Sequence, residues 1–254
     1  MHVLSRKLRD GAMCVGLWLM TPSKEFAELV RETGMDFAVV DLEHGLHTLD
    51  TLVDMLRCVQ GGRTAVVVRV PSHDHTLVSR VLDRGADGVM IPRVDDRETA
   101  IRMAAAARFP PHGERGLALR ALRATGYGTE PDYRTRSDRE VVVMVQLESR
   151  RAIEDAVAIG SAPGVDLAFI GPADLAANLG LEDAGHKSAF RSLVDGKIGE
   201  LRKAGIRVGA VPYAGHDVAS LADCGVQLVI AGSDIGIMSS GLRDFCANIR
   251  GEGY

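Results

Sequence analysis

The chain has 254 residues, 46% of them hydrophobic and 25% charged, which is enough for one large closed α/β domain and does not call for a second. A formal charge of -4 excludes a field that would gather nucleic acid or an anionic membrane. No run approaches the roughly 18 apolar residues of a spanning helix, and the opening "MHVLSRKLRDGAMCVGLWLM" is too interrupted for a signal sequence, so a cytoplasmic protein is expected.

Short apolar runs alternate with amphipathic stretches from end to end. The first strand is predicted at 14–19 (CVGLWL), and Pro22 opens a helix at 23–33. Strands at 37–42 (FAVVDL), 65–70 (AVVVRV) and 88–92 (GVMIP) alternate with helices at 49–60, 74–84 and 96–108. Residues 110–140 lack periodicity, a length that marks a functional or mobile connection. Beyond them lie strands at 141–147 (VVVMVQL), 166–170 (DLAFI), 207–211 (RVGAV) and 227–231 (QLVIA). Helices at 149–159, 173–178, 186–204 and 215–223 fill those gaps, and a last one spans 238–249. Glycines at 34, 61, 85, 160, 205 and 225 supply the left-handed position that ends a helix. Strands this continuously apolar belong to a parallel sheet covered on both faces. Eight of them fit a (β/α)8 TIM barrel better than an open doubly wound sheet, so residues 1–254 read as a single barrel domain. Cysteines 14, 58, 224 and 246 lack CxxC spacing and read as reduced packing residues.

In such a barrel the strand C-termini form the rim on which chemistry is built. Asp41, Glu43 and His44 follow the second strand, Arg69 closes the third, Gln146 and Glu148 close the fifth, and Asp174 follows the sixth in "FIGPADL". Strand starts show no comparable set. Glu148 and Asp174 leave adjacent strands; two such carboxylates share a proton or hold a cation, and an all-oxygen pair suits Mg²⁺, Mn²⁺ or Co²⁺. The competing reading is a helix N-cap for Asp174 and a solvated first-turn residue for Glu148. Gly171 and Pro172 open a helix whose first N–H groups suit a carboxylate or phosphate, though Gly-Pro-Asp is also an ordinary helix start.

Arg69 ends an otherwise buried run, so it needs an anion: a substrate carboxylate or enolate, or a structural bridge to Asp41 or Glu43. His44 is the rim group able to act as base and acid near neutral pH, with a nearby carboxylate, Asp83 among the choices, to orient it. The remaining histidines beyond His2, namely His47, His73, His75, His112, His186 and His216, read as loop or surface residues, His216 the least so because it follows the seventh strand. Trp18 is either core or a pocket wall, and Arg115 in "GERG" reads as an anion-contacting loop or a solvated charge. No GxGxxG, Walker loop or GxSxG elbow occurs, and no lysine ends a strand, which argues against Schiff-base chemistry.

Together "GLWLM", "VVDLEHG", "VVVRVP", "GADGVMIPRV", "PPHGERG", "VQLES" and "FIGPADLAANLG" resemble the HpcH/HpaI group of metal-dependent class II pyruvate aldolases, in order from about residue 4 to 245. The resemblance implies a barrel of the phosphoenolpyruvate/pyruvate type, assembled as a hexamer that exchanges the helix near 238–249 between subunits. It implies Glu148 and Asp174 as metal ligands, Arg69 as the enolate's arginine, His44 as the base and Asp83 as its supporting acid. Gln146 and the backbone at Gly171, Pro172 and Ala173 are similar to the groups that hold pyruvate, while Asp41, Trp18 and Val211 fall where relatives meet the second substrate. The implied reaction joins or splits a 2-oxo acid and an aldehyde on a divalent cation. Leu42, Arg93, "ATGYG" and "GAVPYAGHD" depart from the usual pattern and leave the acceptor open. Oxaloacetate decarboxylation, citrate-forming condensation with an acyl thioester aided by Arg93, Arg120 or Arg123, and a non-catalytic metal- or anion-binding barrel are the alternatives.

Overall fold

The computed structural model describes residues 3–250. Eight strands, β1 (Cys14–Leu19), β2 (Phe37–Asp41), β3 (Ala65–Arg69), β4 (Gly88–Ile91), β5 (Val142–Leu147), β6 (Leu167–Ile170), β7 (Val208–Ala210) and β8 (Leu228–Ser233), close into a barrel in sequence order. All neighbours run parallel, including β8 back onto β1. The α-helices are α1 (Val3–Arg9), α2 (Lys24–Glu32), α3 (Leu49–Val59), α4 (His75–Asp83), α5 (Arg97–Ala107), α6 (Tyr133–Glu140), α7 (Arg150–Glu154), α8 (Ala156–Gly160), α9 (Pro172–Leu179), α10 (Lys187–Lys203), α11 (Val218–Asp223) and α12 (Asp234–Arg250). Among the described residues no helix is long and apolar enough to cross a membrane.

Because side chains alternate across a strand, each apolar run serves two cores. Phe37 and Val39, Ala65 and Val67, Val142 and Met144, and Leu167 and Phe169 fill the barrel interior. Their neighbours Ala38, Val40, Val66, Val68, Val143, Val145 and Ala168 pack outward beneath the helices. Large and small residues interdigitate inside: a Cβ on Gly209 would lie 2.7 Å from the Phe169 ring, so that strand approaches only as glycine.

The expected elements recur within a few residues, with instructive exceptions. The stretch 149–159 is two short helices that meet at Asp155. The last helix starts at Asp234 rather than 238. Residues 110–140 contain α6 and a 3₁₀ turn at Arg123–Gly128. Helix α1 was not expected; its Leu4 and Leu8 insert into the interior core from the N-terminal end of the barrel, and Arg207 Nε donates to the Leu8 carbonyl at 2.9 Å.

Strand starts also carry acids, contrary to expectation. Asp36, Asp87 and Asp166 accept the backbone N–H of Val15, Val66 and Val143 on the neighbouring strand at 2.7 to 2.8 Å. Arg115 is neither a solvated charge nor an anion loop. It is almost fully buried, donates to Asp83, Ser137 Oγ and Tyr133 Oη, and lies over the Phe109 ring at 4.6 Å. Stripped of water, its guanidinium can only persist with such partners.

Candidate active site

The alternation that fills the barrel also builds its rim. Continuing the inward series up each strand gives Trp18 on β1, Asp41 on β2, Arg69 on β3, Gln146 and then Glu148 on β5, Gly171 after β6 and Val211 after β7. Register pairs Asp41 with Arg69. Their side chains form a two-pronged bridge, Nε to Oδ1 at 2.8 Å and Nη2 to Oδ2 at 2.6 Å. Burial pushes the Asp41 carboxyl up, but the Arg69 hydrogen bonds and charge, with the Glu43 and His44 backbone N–H groups, outweigh it and hold the carboxyl below the usual range. The guanidinium lies 4.2 Å over the Trp18 ring. Arg69 thus makes the structural bridge to Asp41 and also lines the cavity above it.

Glu43 is a buried hub at the edge of this group. Its carboxylate lies 3.4 Å from Arg69 Nη1, 3.2 Å from Arg93 Nη2 and 3.8 Å from His44 Nε2. It is the carboxylate beside the histidine. Asp83 is not: within one chain it sits at the far end of α4, held by Arg115 at 2.9 Å. His44 is half-exposed at the cavity mouth.

Glu148 and Asp174 line the same cavity of about 410 Å³. The Glu148 carboxyl is pushed up to about 7, first by burial, then by the charges of Asp174 and Glu43, against the pull of Arg69 and a hydrogen bond from the Arg93 backbone. A buried acid forced upward by a second acid is a pair short of positive charge. A Cβ at Gly171 would lie 2.6 Å from Glu148 Oε1, so glycine there makes the space the carboxylate occupies. Gln146 Oε1 is buried with no hydrogen-bond partner among the described residues. Two carboxylates, an orphaned amide oxygen and an open cavity match the oxygen donor set of a Mg²⁺, Mn²⁺ or Co²⁺ ion.

Trp18, His44, Arg69, Gln146, Glu148, Asp174 and Val211 all line this cavity, with Gly171, Pro172 and Ala173. Asp41 does not; it is wholly buried beneath Arg69. Met20, Phe169, Ser233 and Ile235 also line it and were missed. The last two come from the β8–α12 corner, which Asp234 anchors by accepting from Met20 N, Thr21 N and Thr21 Oγ1 at 2.6 to 2.9 Å. The "SD" after the eighth apolar run was the available signal. His47 is buried rather than superficial, its Nε2 3.1 Å from the Leu19 carbonyl, and burial pushes its pKa down. A larger cavity of about 670 Å³, beside Arg108 and Pro163, holds none of these rim groups. Asp195, His216 and Cys224 form a separate cluster whose ligating atoms lie within 4.8 Å of one another.

A model of the HpcH/HpaI aldolase/citrate lyase family matches residues 14–240. The chain belongs to this family. HpcH/HpaI relatives include the 4-hydroxy-2-oxovalerate aldolase of Novosphingobium aromaticivorans, 34% identical over 93% of this chain and 90% of that protein. Among solved structures, an HpcH/HpaI family protein from Burkholderia cenocepacia J2315 is 31% identical with a TM-score of 0.90, covering 98% of this chain and 100% of that one. Citrate synthase SbnG is 26% identical with a TM-score of 0.88, over 100% and 99% of the two chains. HpcH/HpaI membership makes the protein an aldolase-type carbon–carbon lyase, and the non-catalytic reading falls.

Proposed function

We propose that this enzyme is a divalent-metal-dependent aldolase that cleaves or forms 4-hydroxy-2-oxo acids, with pyruvate and an aldehyde as the other side of the reaction. The observation that carries the proposal is one cavity lined by Glu148, Asp174, Arg69 and His44, with the Glu148 carboxyl pushed up to about 7. Glu148 and Asp174 would hold the cation, which supplies a Lewis acid for the keto group of the 2-oxo acid. Arg69, fixed by Asp41, offsets the charge that gathers on the enolate oxygen when the C3–C4 bond breaks. His44 takes the proton of the C4 hydroxyl in cleavage and returns it in synthesis. Gly171, Pro172 and Ala173, at the start of α9, and Gln146 hold the pyruvate half, while Trp18 and Val211 border the aldehyde. Glu43 takes the orienting role that Asp83 cannot fill within one chain.

Solvent deuterium should enter the methyl group of pyruvate only when a divalent cation is present, and a screen of 4-hydroxy-2-oxo acids should yield pyruvate. No exchange with Mg²⁺, Mn²⁺ or Co²⁺ would overturn the reading. His44→Gln should lower cleavage by about 10²- to 10⁴-fold, the range for loss of a general base. A citrate-forming condensation is the second reading, favoured by the likeness to citrate synthase SbnG and by the rim guanidinium of Arg93; thiol release from an acyl thioester plus oxaloacetate distinguishes it. We also propose a cytoplasmic hexamer that exchanges α12. The outward face of α12 supports the exchange, since its Leu242, Phe245 and Ile249 are each more than 60% exposed.

A further inference from the structure

The run "GAVPYAGHD" leaves β7 and turns away from the rim chemistry. Ala214 and Gly215 both take left-handed backbone conformations, φ 45° and 87°, and the His216 N–H closes the turn on the Tyr213 carbonyl at 2.7 Å. Alanine in that region is strained, and the result of the strain is a buried imidazole aimed at α10. His216 Nε2 lies 3.0 and 3.2 Å from the two Asp195 oxygens, and Tyr213 Oη donates to Oδ1 at 2.6 Å. Cys224, capping α11, completes a set in which one carboxylate oxygen, one imidazole nitrogen and one sulfur lie within 4.8 Å of one another.

We propose that Asp195, His216 and Cys224 form a Zn²⁺ site that ties α10 and α11 to the β7 exit loop, separate from the rim carboxylates. A mixed nitrogen, oxygen and sulfur set suits this borderline-soft ion, whereas Mg²⁺ demands oxygen alone. The three ligands come from α10, the loop after β7 and the end of α11, so one ion would join consecutive elements as a staple. Tyr213 supports the carboxylate from outside, whereas Arg191 competes with the ion. Arg191 Nη2 lies 3.4 Å from His216 Nδ1, and its Nε 3.6 Å from Asp195 Oδ2. That guanidinium balances the carboxylate when no ion is bound. When Nε2 ligates, Nδ1 carries the proton, so the half-exposed arginine must swing outward. Val211, five residues before His216, lines the active cavity, so an ion here stiffens one wall of it.

Co²⁺ titration of the metal-stripped full-length protein tests the site. A cobalt–thiolate bond gives an intense near-ultraviolet charge-transfer band that an all-oxygen site cannot give. The band should appear in the wild type and in Glu148→Gln, disappear in Cys224→Ser and His216→Ala, and be bleached by Zn²⁺. Arg191→Ala, which removes the competing cation, should bind more tightly. Loss of a ligand should weaken Zn²⁺ by more than the roughly 10- to 100-fold that loss of an outer-shell partner costs. Absence of the band in the wild type, or its survival in Cys224→Ser, would overturn the proposal. The wild-type result stands even if a variant fails to fold, and the proposal does not rest on aldol chemistry at the rim.

Discussion

Glu148 should make the metal-free protein less stable as pH rises. Its carboxyl moves from 4.5 to about 7 on folding, mainly through burial and the charge of Asp174. Below about pH 4.5 the group is protonated whether folded or not and has no effect. Between 4.5 and about 7 the unfolded chain gives up its proton first, so stability falls with rising pH, and above about 7 the full penalty is present. That rise corresponds to at most about 3 kcal/mol. Glu148→Gln, which cannot ionise, should therefore match the wild type in acid and exceed it by up to about 3 kcal/mol at about pH 8. Urea denaturation with a chelator, at both ends of this window, measures it. Excess Mn²⁺ should reverse the order, since the wild type, with both carboxylates, gains the larger binding energy. Parallel pH profiles for the two proteins would refute the reasoning.

Asp41→Asn should cost about 3–5 kcal/mol in denaturation, because it leaves Arg69 buried without its charge partner, and turnover should fall with the lost orientation of the fork. Gly171→Ala places a Cβ 2.6 Å from Glu148 Oε1 and forces the carboxylate aside; Mn²⁺ binding by calorimetry should weaken about tenfold or more, with an overpacking cost of about 1–3 kcal/mol. Asp234→Ala removes the acceptor for Met20 and Thr21, and should cost about 2–4 kcal/mol while raising hydrogen exchange at the start of α12.

The rim was legible because the rule that reveals a strand also tells which of its residues face inward. A polar residue that keeps the inward step beyond the apolar run, as Arg69 and Glu148 do, stands in the mouth of the barrel. Pairings between distant segments were not legible. Asp83 and Arg115 are 32 residues apart, and only the folded helical layer makes them partners. With Asp83 engaged there, the acid beside His44 is the adjacent Glu43. Helix α1 escaped notice because seven residues, with Leu4 and Leu8 one turn apart, carry too little periodicity to separate them from a frayed start. Asp234 gave no sign of its role because its partners lie more than 200 residues earlier in the chain.

Leu4 and Leu8 share the interior core with Leu228 and Ile230 of β8, and the carbonyl of Leu8 accepts from Arg207. Helix α1 can thus reach its seat only once β7 and β8 are in place. A cork fitted last closes the base of the barrel through a contact between residues 199 apart in sequence, so the barrel must form before it can be plugged.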